Sequence, residues 1–172
     1  MLIALTGTPG VGKSTTAKIL KDRGYNVQSV NELAKRFNCI EDGVVDVDRL
    51  SRIVKGREMI VEGHLSHLLN PEVAIVLRCN PLKLKERLKS KGWDEKKVLE
   101  NVEAEIVDVI LIESLEYARE VYEIDTTNLS PEEVANAVEE ILKGKGGKYK
   151  PGKIDWISEV GEFIEDLMRK DL

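Results

Sequence analysis

A parallel β-sheet with helices on both faces, a three-layer α/β/α domain, is predicted by three features of this 172-residue chain. Short apolar runs recur between amphipathic stretches, so strands alternate with helices. The run Val73-Ala74-Ile75-Val76-Leu77 has no polar interruption, as a strand covered on both faces requires. The first apolar run, Leu2-Ile3-Ala4-Leu5, enters a glycine-rich turn and then at once a helical pattern, the junction of a strand and a crossover helix.

That junction reads Gly7-Thr8-Pro9-Gly10-Val11-Gly12-Lys13-Ser14, the spacing of a phosphate-binding loop between strand and helix. Gly7, Gly10 and Gly12 allow the backbone angles at which successive N–H groups converge on a phosphate. The helix that follows adds the positive end of its dipole. Lys13 can reach the β- and γ-phosphates and the Ser14 hydroxyl can hold the metal ion that travels with a nucleoside triphosphate. Gly10, Gly12, Lys13 and Ser14 are therefore the candidate nucleotide-binding residues.

The remaining elements follow in order. Thr15 to Arg23 is predicted helical, with Ala17, Ile19 and Leu20 inward and Gly24 as its stop. Tyr25 to Val30 alternates as a second strand, and Asn31 is positioned to cap a short helix over Glu32 to Phe37. Asp46 opens another helix carrying Leu50, Ile53 and Val54. Glu58 to Val61 is a third strand, running into Glu62-Gly63-His64; Val73 to Leu77 is the fourth. Pro81 to Lys91 and Asp94 to Arg119 are predicted as two helices joined at Gly92-Trp93. Val121 to Ile124 is the fifth strand. Ser130-Pro131-Glu132-Glu133 carries a cap, a proline at the first helical position and a glutamate at the third. Residues 143–153, rich in lysine and glycine, read as a flexible basic linker, and Ile154 to Leu172 as one amphipathic helix.

Composition narrows the classes. An apolar content of 42% over this length can bury one proper core. No apolar run approaches the roughly 18–20 residues of a membrane helix, and Met1 leads directly into the first strand with no room for a signal peptide. A cytoplasmic location, with Cys39 and Cys79 as reduced thiols, is the expectation. A net charge of -5 argues against strong non-specific nucleic-acid binding. The lysine- and glutamate-rich composition, with Gln28 the single glutamine, resembles that of heat-adapted proteins.

Three further groups bear on chemistry. Glu62 at a strand end can hold a metal-bound water or orient an attacking group, and His64 can position water for hydrolysis. His64 and His67 are three residues apart, but spacing without a third ligand does not make a zinc site. Arg87 and Lys91 lie one helical turn apart beside Gly92-Trp93, placed to arrive with a lid and stabilise transferred charge; a solvated basic face is the alternative. Lys35, Arg36 and Arg49, in an insert over about residues 30–53, are candidates to grip an acceptor's phosphate.

The opening Leu5-Thr6-Gly7-Thr8-Pro9-Gly10-Val11-Gly12-Lys13-Ser14-Thr15, the acid-x-His at Glu62-Gly63-His64, the tract Val76-Leu77-Arg78 and the run from Glu86-Arg87 through Gly92-Trp93-Asp94-Glu95-Lys96-Lys97 together resemble one family. It is the archaeal and eukaryotic-nuclear adenylate kinase family that also serves in small ribosomal subunit assembly. The resemblance covers about residues 1–142; the chain from Lys143 on lies outside it. It implies a P-loop nucleoside monophosphate kinase fold, Thr15 beside Gly10, Gly12, Lys13 and Ser14 as ATP-binding residues, an acceptor region at about residues 30–53 and a short lid at about residues 90–100. It implies ATP with Mg2+ as cofactor, transfer to AMP or other monophosphates, a side ATPase activity, and a small-subunit ribosomal protein as partner in rRNA maturation. Two positions depart from the family. Glu62 stands where aspartate is usual, and Lys91 where arginine is common. Two alternatives stay open, an ATPase switch acting on a ribosomal partner and a kinase for a non-nucleotide small molecule. No N-K-x-D guanine motif is present, which argues against a GTPase.

Overall fold

A computed structural model describes residues 1–170. The strands are β1 (Leu2–Gly7), β2 (Val27–Ser29), β3 (Ile40–Glu41), β4 (Val44–Val45), β5 (Met59–Glu62), β6 (Val73–Arg78) and β7 (Glu120–Asp125). The helices are α1 (Lys13–Asp22), α2 (Val30–Arg36), α3 (Val47–Val54), α4 (Pro81–Ser90), α5 (Glu95–Ile106), α6 (Val109–Tyr117), α7 (Pro131–Leu142), α8 (Trp156–Val160) and α9 (Ile164–Met168). Five strands form one parallel sheet in the order β2-β5-β1-β6-β7, and β3 and β4 pair as a separate antiparallel hairpin. This is the predicted α/β/α architecture, and it is the P-loop nucleoside monophosphate kinase arrangement.

Alternation along β1 sorts the chain onto the two faces. Ile3 and Leu5 point into the larger core, with Leu20 of α1, Leu84 and Leu88 of α4, Val98 and Val102 of α5 and Val138 of α7. Leu2 points the other way, onto α2 and α3 through Leu33, Ala34, Leu50 and Val54; Ala4 meets Leu111 of α6 on that side. Each fully buried leucine contributes about 2 kcal/mol. In register, Leu5 lies beside both Glu62 and Ile75, and Ser29 beside Glu62. The carboxyl ends of β1, β2 and β5 therefore finish together, and there the chemistry collects.

Several local expectations are corrected. The second strand is shorter than Tyr25–Val30, and the cap of the following helix is Ser29, whose hydroxyl accepts the Glu32 N–H at 3.0 Å, not Asn31. The stretch from Asp94 to Arg119 is two helices, because Asp108 adopts left-handed angles (φ 59°) and ends the row. The 143–153 stretch is folded rather than free: it holds a 3-10 turn at Gly147–Tyr149, and the Gly152 N–H donates to Glu123 Oε2 at 3.0 Å. Where one helix is predicted from Ile154, the chain makes α8, a 3-10 turn at Gly161–Phe163 and α9. Trp156, Val160 and Leu167 are buried; Asp171 and Leu172 lie outside the described residues. The Ser130–Glu133 capping box is present, with both of its hydrogen bonds. Among the described residues no helix is long and apolar enough to cross a membrane, and Cys39 and Cys79 are buried free thiols.

Candidate active site

β1 ends at Gly7 and α1 begins at Lys13, so the turn between them wraps the head of the helix. At Gly7 (φ 146°) a Cβ would stand 2.6 Å from the Leu77 carbonyl oxygen, so only glycine lets β1 pass β6 this closely. α1 starts from left-handed Gly12 with no side-chain cap, which leaves its amino end to a ligand rather than to its own chain. Lys13 is buried, and its Nζ donates to the carbonyls of Gly7 at 2.6 Å and Thr8 at 3.1 Å. Burial lowers its pKa from 10.5 to about 8, with Glu62 and Glu105 opposing that shift.

Two cavities meet on this loop. The larger, about 640 Å³, is lined by Pro9, Gly10 and Gly12 to Thr15, by Ser29 to Asn31, by Glu62 to Leu65, and by Lys91, Trp93, Lys97 and Asn101. The smaller, about 230 Å³, is lined by Gly10 to Gly12, Thr15, Thr16, Arg87, Lys91, Thr126, Leu129, Pro131 and Val134. Gly10, Gly12, Thr15 and Lys91 belong to both, so the loop is a saddle between two basins. A third cavity, about 460 Å³, lies at the opposite, amino ends of the strands among Ile3, Tyr25, Met59 and Tyr122; the phosphate loop takes no part in it.

The structure thus gathers Gly10, Gly12, Lys13, Ser14, Thr15, Glu62, His64 and Lys91 at one place. Glu62 is half-buried. Desolvation raises its pKa above the usual carboxylate range, against the charge of Lys13 and a hydrogen bond from Ser14. Ser14 and Glu62 are hard oxygen donors side by side, which fits Mg2+, an ion that keeps several waters and takes its other ligands from substrate phosphates. Among the described residues no group of three or more His, Cys, Asp and Glu side chains could hold a metal unaided. His64 stands on the cavity wall with its pKa lowered by desolvation and then by Lys13, so it is neutral at pH 7. His67 is buried elsewhere, its Nδ1 2.8 Å from Thr6 Oγ1 and its Nε2 3.3 Å from Glu113.

Arg87 reaches the loop from α4: its Nη1 donates to the Gly10 carbonyl at 3.4 Å and approaches Cys79 Sγ at 3.4 Å. Lys91 ends the same helix. The stretch expected to act as a lid, about residues 90–100, holds the turn after α4 and the start of α5, where Lys97 lies over the Trp93 ring at 4.6 Å. The three cations expected to grip an acceptor are placed differently. Lys35 and Arg36 are exposed on α2, Arg49 donates from Nη1 to the Asn38 carbonyl at 3.1 Å, and none of the three lines either cavity. Ser29, Asn31 and Asn101 do line the larger one. A sequence reading focused on cations passes over them, though Ser29 and Asn31 flank the strand end opposite Glu62.

Behind the loop is a polar cluster that sequence reasoning also missed. Arg78 is buried and pairs through Nε with Glu105 at 2.9 Å, through Nη1 with Glu123 at 2.6 Å, and through Nη2 with Asp108. Burial would lower its pKa, but the surrounding carboxylates raise it above the ordinary arginine value.

Comparison with known proteins agrees with this geometry. Residues 3–108, more than half of the chain, match the family described as AAA domain. Proteins named "Putative adenylate kinase" from Archaeoglobus fulgidus (60% identical), Thermococcus onnurineus (44%) and Methanocaldococcus jannaschii (42%) align over 99%, 99% and 95% of this chain and 99%, 99% and 97% of their own lengths. The alignment to the first of these takes in the C-terminal segment that the sequence reading left unmatched. Shikimate kinases from Acinetobacter baumannii, solved with shikimate, and from Bacteroides thetaiotaomicron share the fold, each with a TM-score of 0.57 at 17% identity. They cover 83% of this chain and 93% and 98% of their own. The phosphate loop, the five-stranded sheet and full-length identity of this order place the chain in the archaeal-type adenylate kinase family, and it is a phosphotransferase of the P-loop class.

Proposed function

We propose that this enzyme transfers the terminal phosphate of ATP to a nucleoside monophosphate, with AMP the favoured acceptor. The observation that supports the reading is the pair of cavities sharing Gly10, Gly12, Thr15 and Lys91. Two nucleotides seated base-outward in the two basins meet at their phosphates over Lys13. In this reading the donor's base and ribose take the smaller basin, against Arg87, Thr126, Leu129 and Pro131. The acceptor takes the larger, against Ser29, Asn31 and His64. Ser14 and Glu62 would hold the Mg2+ that accompanies the nucleotide, and the ion would supply charge neutralisation for the phosphates.

Each residue then has a task. Loop amides and the head of α1 hold the donor phosphates. Lys13 leaves the Gly7 and Thr8 carbonyls for the β- and γ-oxygens. Lys91, present in both basins, follows the phosphoryl group across and stabilises its spread charge, with Arg87 behind it. The acceptor phosphate is already ionised at pH 7, so transfer requires no general base. Trp93 and Lys97 close the site against water. Lys35, Arg36 and Arg49 stay in the proposal only as residues that reach the acceptor when the insert swings over the cavity.

Hydrolysis is the second reading, favoured by His64, a neutral imidazole at the wall of the acceptor basin where a water would sit when no acceptor is bound. An assembly role with a small-subunit ribosomal protein is the finer part of the proposal. It rests on the resemblance and on an exposed apolar row, Val109, Ile112 and Leu115, on α6. Loss of such binding in Ile112→Asp with catalysis intact supports it; binding unchanged in that variant removes α6 from the argument. For the transfer reading the test is diadenosine pentaphosphate, which spans both basins. It should bind at least about 100-fold more tightly than AMP. Binding no tighter than ATP alone overturns the two-nucleotide site.

A further inference from the structure

Glu105 of α5 is 3% exposed and takes no part in the transfer described above, yet one of its oxygens touches the phosphate loop. Its Oε1 accepts the Thr8 hydroxyl at 3.0 Å. Its Oε2 accepts Arg78 Nε at 2.9 Å, the Cys79 N–H at 3.2 Å and the Trp156 indole N–H at 3.0 Å. Thr8 is also the residue whose carbonyl holds Lys13 Nζ and accepts the Val11 N–H at 3.3 Å. A continuous line of hydrogen bonds therefore runs from Trp156 through Glu105 and Thr8 to the catalytic lysine.

Trp156 is 2% exposed and opens α8. The segment it begins is tied to the helices on either side of the lid turn. Asn80 Nδ2, at the head of α4, donates to Glu159 at 3.2 Å, Lys85 Nζ of α4 donates to the Leu167 carbonyl at 2.7 Å, and Val160 and Leu167 enter the main core. A buried carboxylate is a poor way to gain stability, since an apolar side chain of similar size packs as well without the desolvation cost. Its fourfold-satisfied oxygens instead hold one geometry, and the geometry they hold is that of Thr8.

We propose that the C-terminal segment Trp156–Met168 is a working part of the nucleotide site, in which Trp156, acting through Glu105, positions Thr8 and so sets the phosphate loop for the triphosphate. Trp156 and Glu105 are positioning residues and touch no substrate. The proposal rests on ATP being the donor. It distinguishes the two nucleotides: the donor's phosphates feel the strut directly, whereas an acceptor in the basin of Ser29, Asn31 and His64 does not.

The test is calorimetric binding of MgATP and of AMP to the full chain in four forms: wild type, Trp156→Phe, Thr8→Val and the double variant, with a thermal melt of each. Phenylalanine removes the indole donor together with part of the buried ring volume, and the thermal melt reads that packing loss separately from the loss of the donor. Trp156→Phe should weaken MgATP by about threefold to tenfold and leave AMP within about twofold, as expected when one charge-assisted hydrogen bond is lost and felt at a distance. Thr8→Val should also weaken MgATP, and the double variant should fall short of the product of the two single losses, because both cut the same line. The proposal is overturned by unchanged MgATP affinity in Trp156→Phe, by losses that multiply fully in the double variant, or by equal loss of both nucleotides with a lowered melting point. No MgATP binding in the wild type would instead overturn the phosphotransfer reading itself.

Discussion

Lys13 Nζ lies 2.6 Å from the carbonyl oxygen of Gly7, so the loop's own backbone holds the cation that a nucleotide will claim. Burial depresses that ammonium to about pH 8 from 10.5. The unfolded chain binds the proton more tightly than the folded one, so keeping Lys13 charged costs stability. The cost is complete below about pH 8 and fades as pH rises toward 10.5. Lys13→Met, which carries no such charge, should therefore be more stable relative to wild type at pH 7 than at pH 10, the gap narrowing by most of roughly 3 kcal/mol. Denaturant unfolding of both proteins at the two pH values measures it, and a gap independent of pH contradicts the burial account. Phosphates restore the charge, so MgATP binding should take up a proton near pH 8 and weaken above it. The variant should transfer no phosphate at any pH.

The passage of β1 across β6 depends on Gly7. An alanine there meets the Leu77 carbonyl at 2.6 Å and Val11 Cγ2 at 2.8 Å, whereas an alanine at Gly12 meets nothing within 4 Å. Gly7→Ala should cost about 3 kcal/mol and Gly12→Ala about 1 kcal/mol, the latter from its left-handed angles alone. Equal losses in thermal melts would contradict the close approach.

Arg78 answers for three carboxylates, two of them as buried as itself. Arg78→Met should lower stability by about 4 kcal/mol because it strands Glu105 and Glu123 without a counter-ion. Its deficit should shrink on going from pH 8 to pH 5, since a stranded buried carboxylate takes up a proton. A deficit that grows over that range would contradict the assignment.

His64→Ala should lower ATP hydrolysis about tenfold or more and phosphate transfer far less, because water needs placing and a phosphate acceptor does not. Parallel steady-state assays with and without AMP measure the split; equal losses remove the water-positioning role.

Much of this architecture is legible in the residues. Val73 to Leu77 has to be a doubly covered strand, and the spacing of Gly7, Gly10, Gly12 and Lys13 places the loop and the ligand end of the sheet before any coordinate is known. Direction is what the chain does not disclose. Lys35, Arg36 and Arg49 are as basic as Lys91, and only the packing of α2 and α3 turns them from the cavity while the end of α4 turns Lys91 into it. Asp108 interrupts a helical row without glycine or proline, because an aspartate tolerates left-handed angles better than most residues, and here Arg78 at the end of β6 pairs with it. Glu105 left a signal that could be used: it falls in the inward stripe Val98, Val102, Ile106, where a charged residue has no place unless it is paired. Trp156 left none, since its partner is 51 residues away and the apolar spacing from Ile154 onward fits one helix as well as the two short ones that form.

The central claim is that one phosphate loop serves two nucleotides at once. It is tested most directly by following phosphorus NMR of the purified chain with MgATP and AMP. Conversion of both to ADP, two ADP for each AMP consumed, and absent in Lys13→Met, is the predicted result. Release of inorganic phosphate with AMP unconsumed would contradict it.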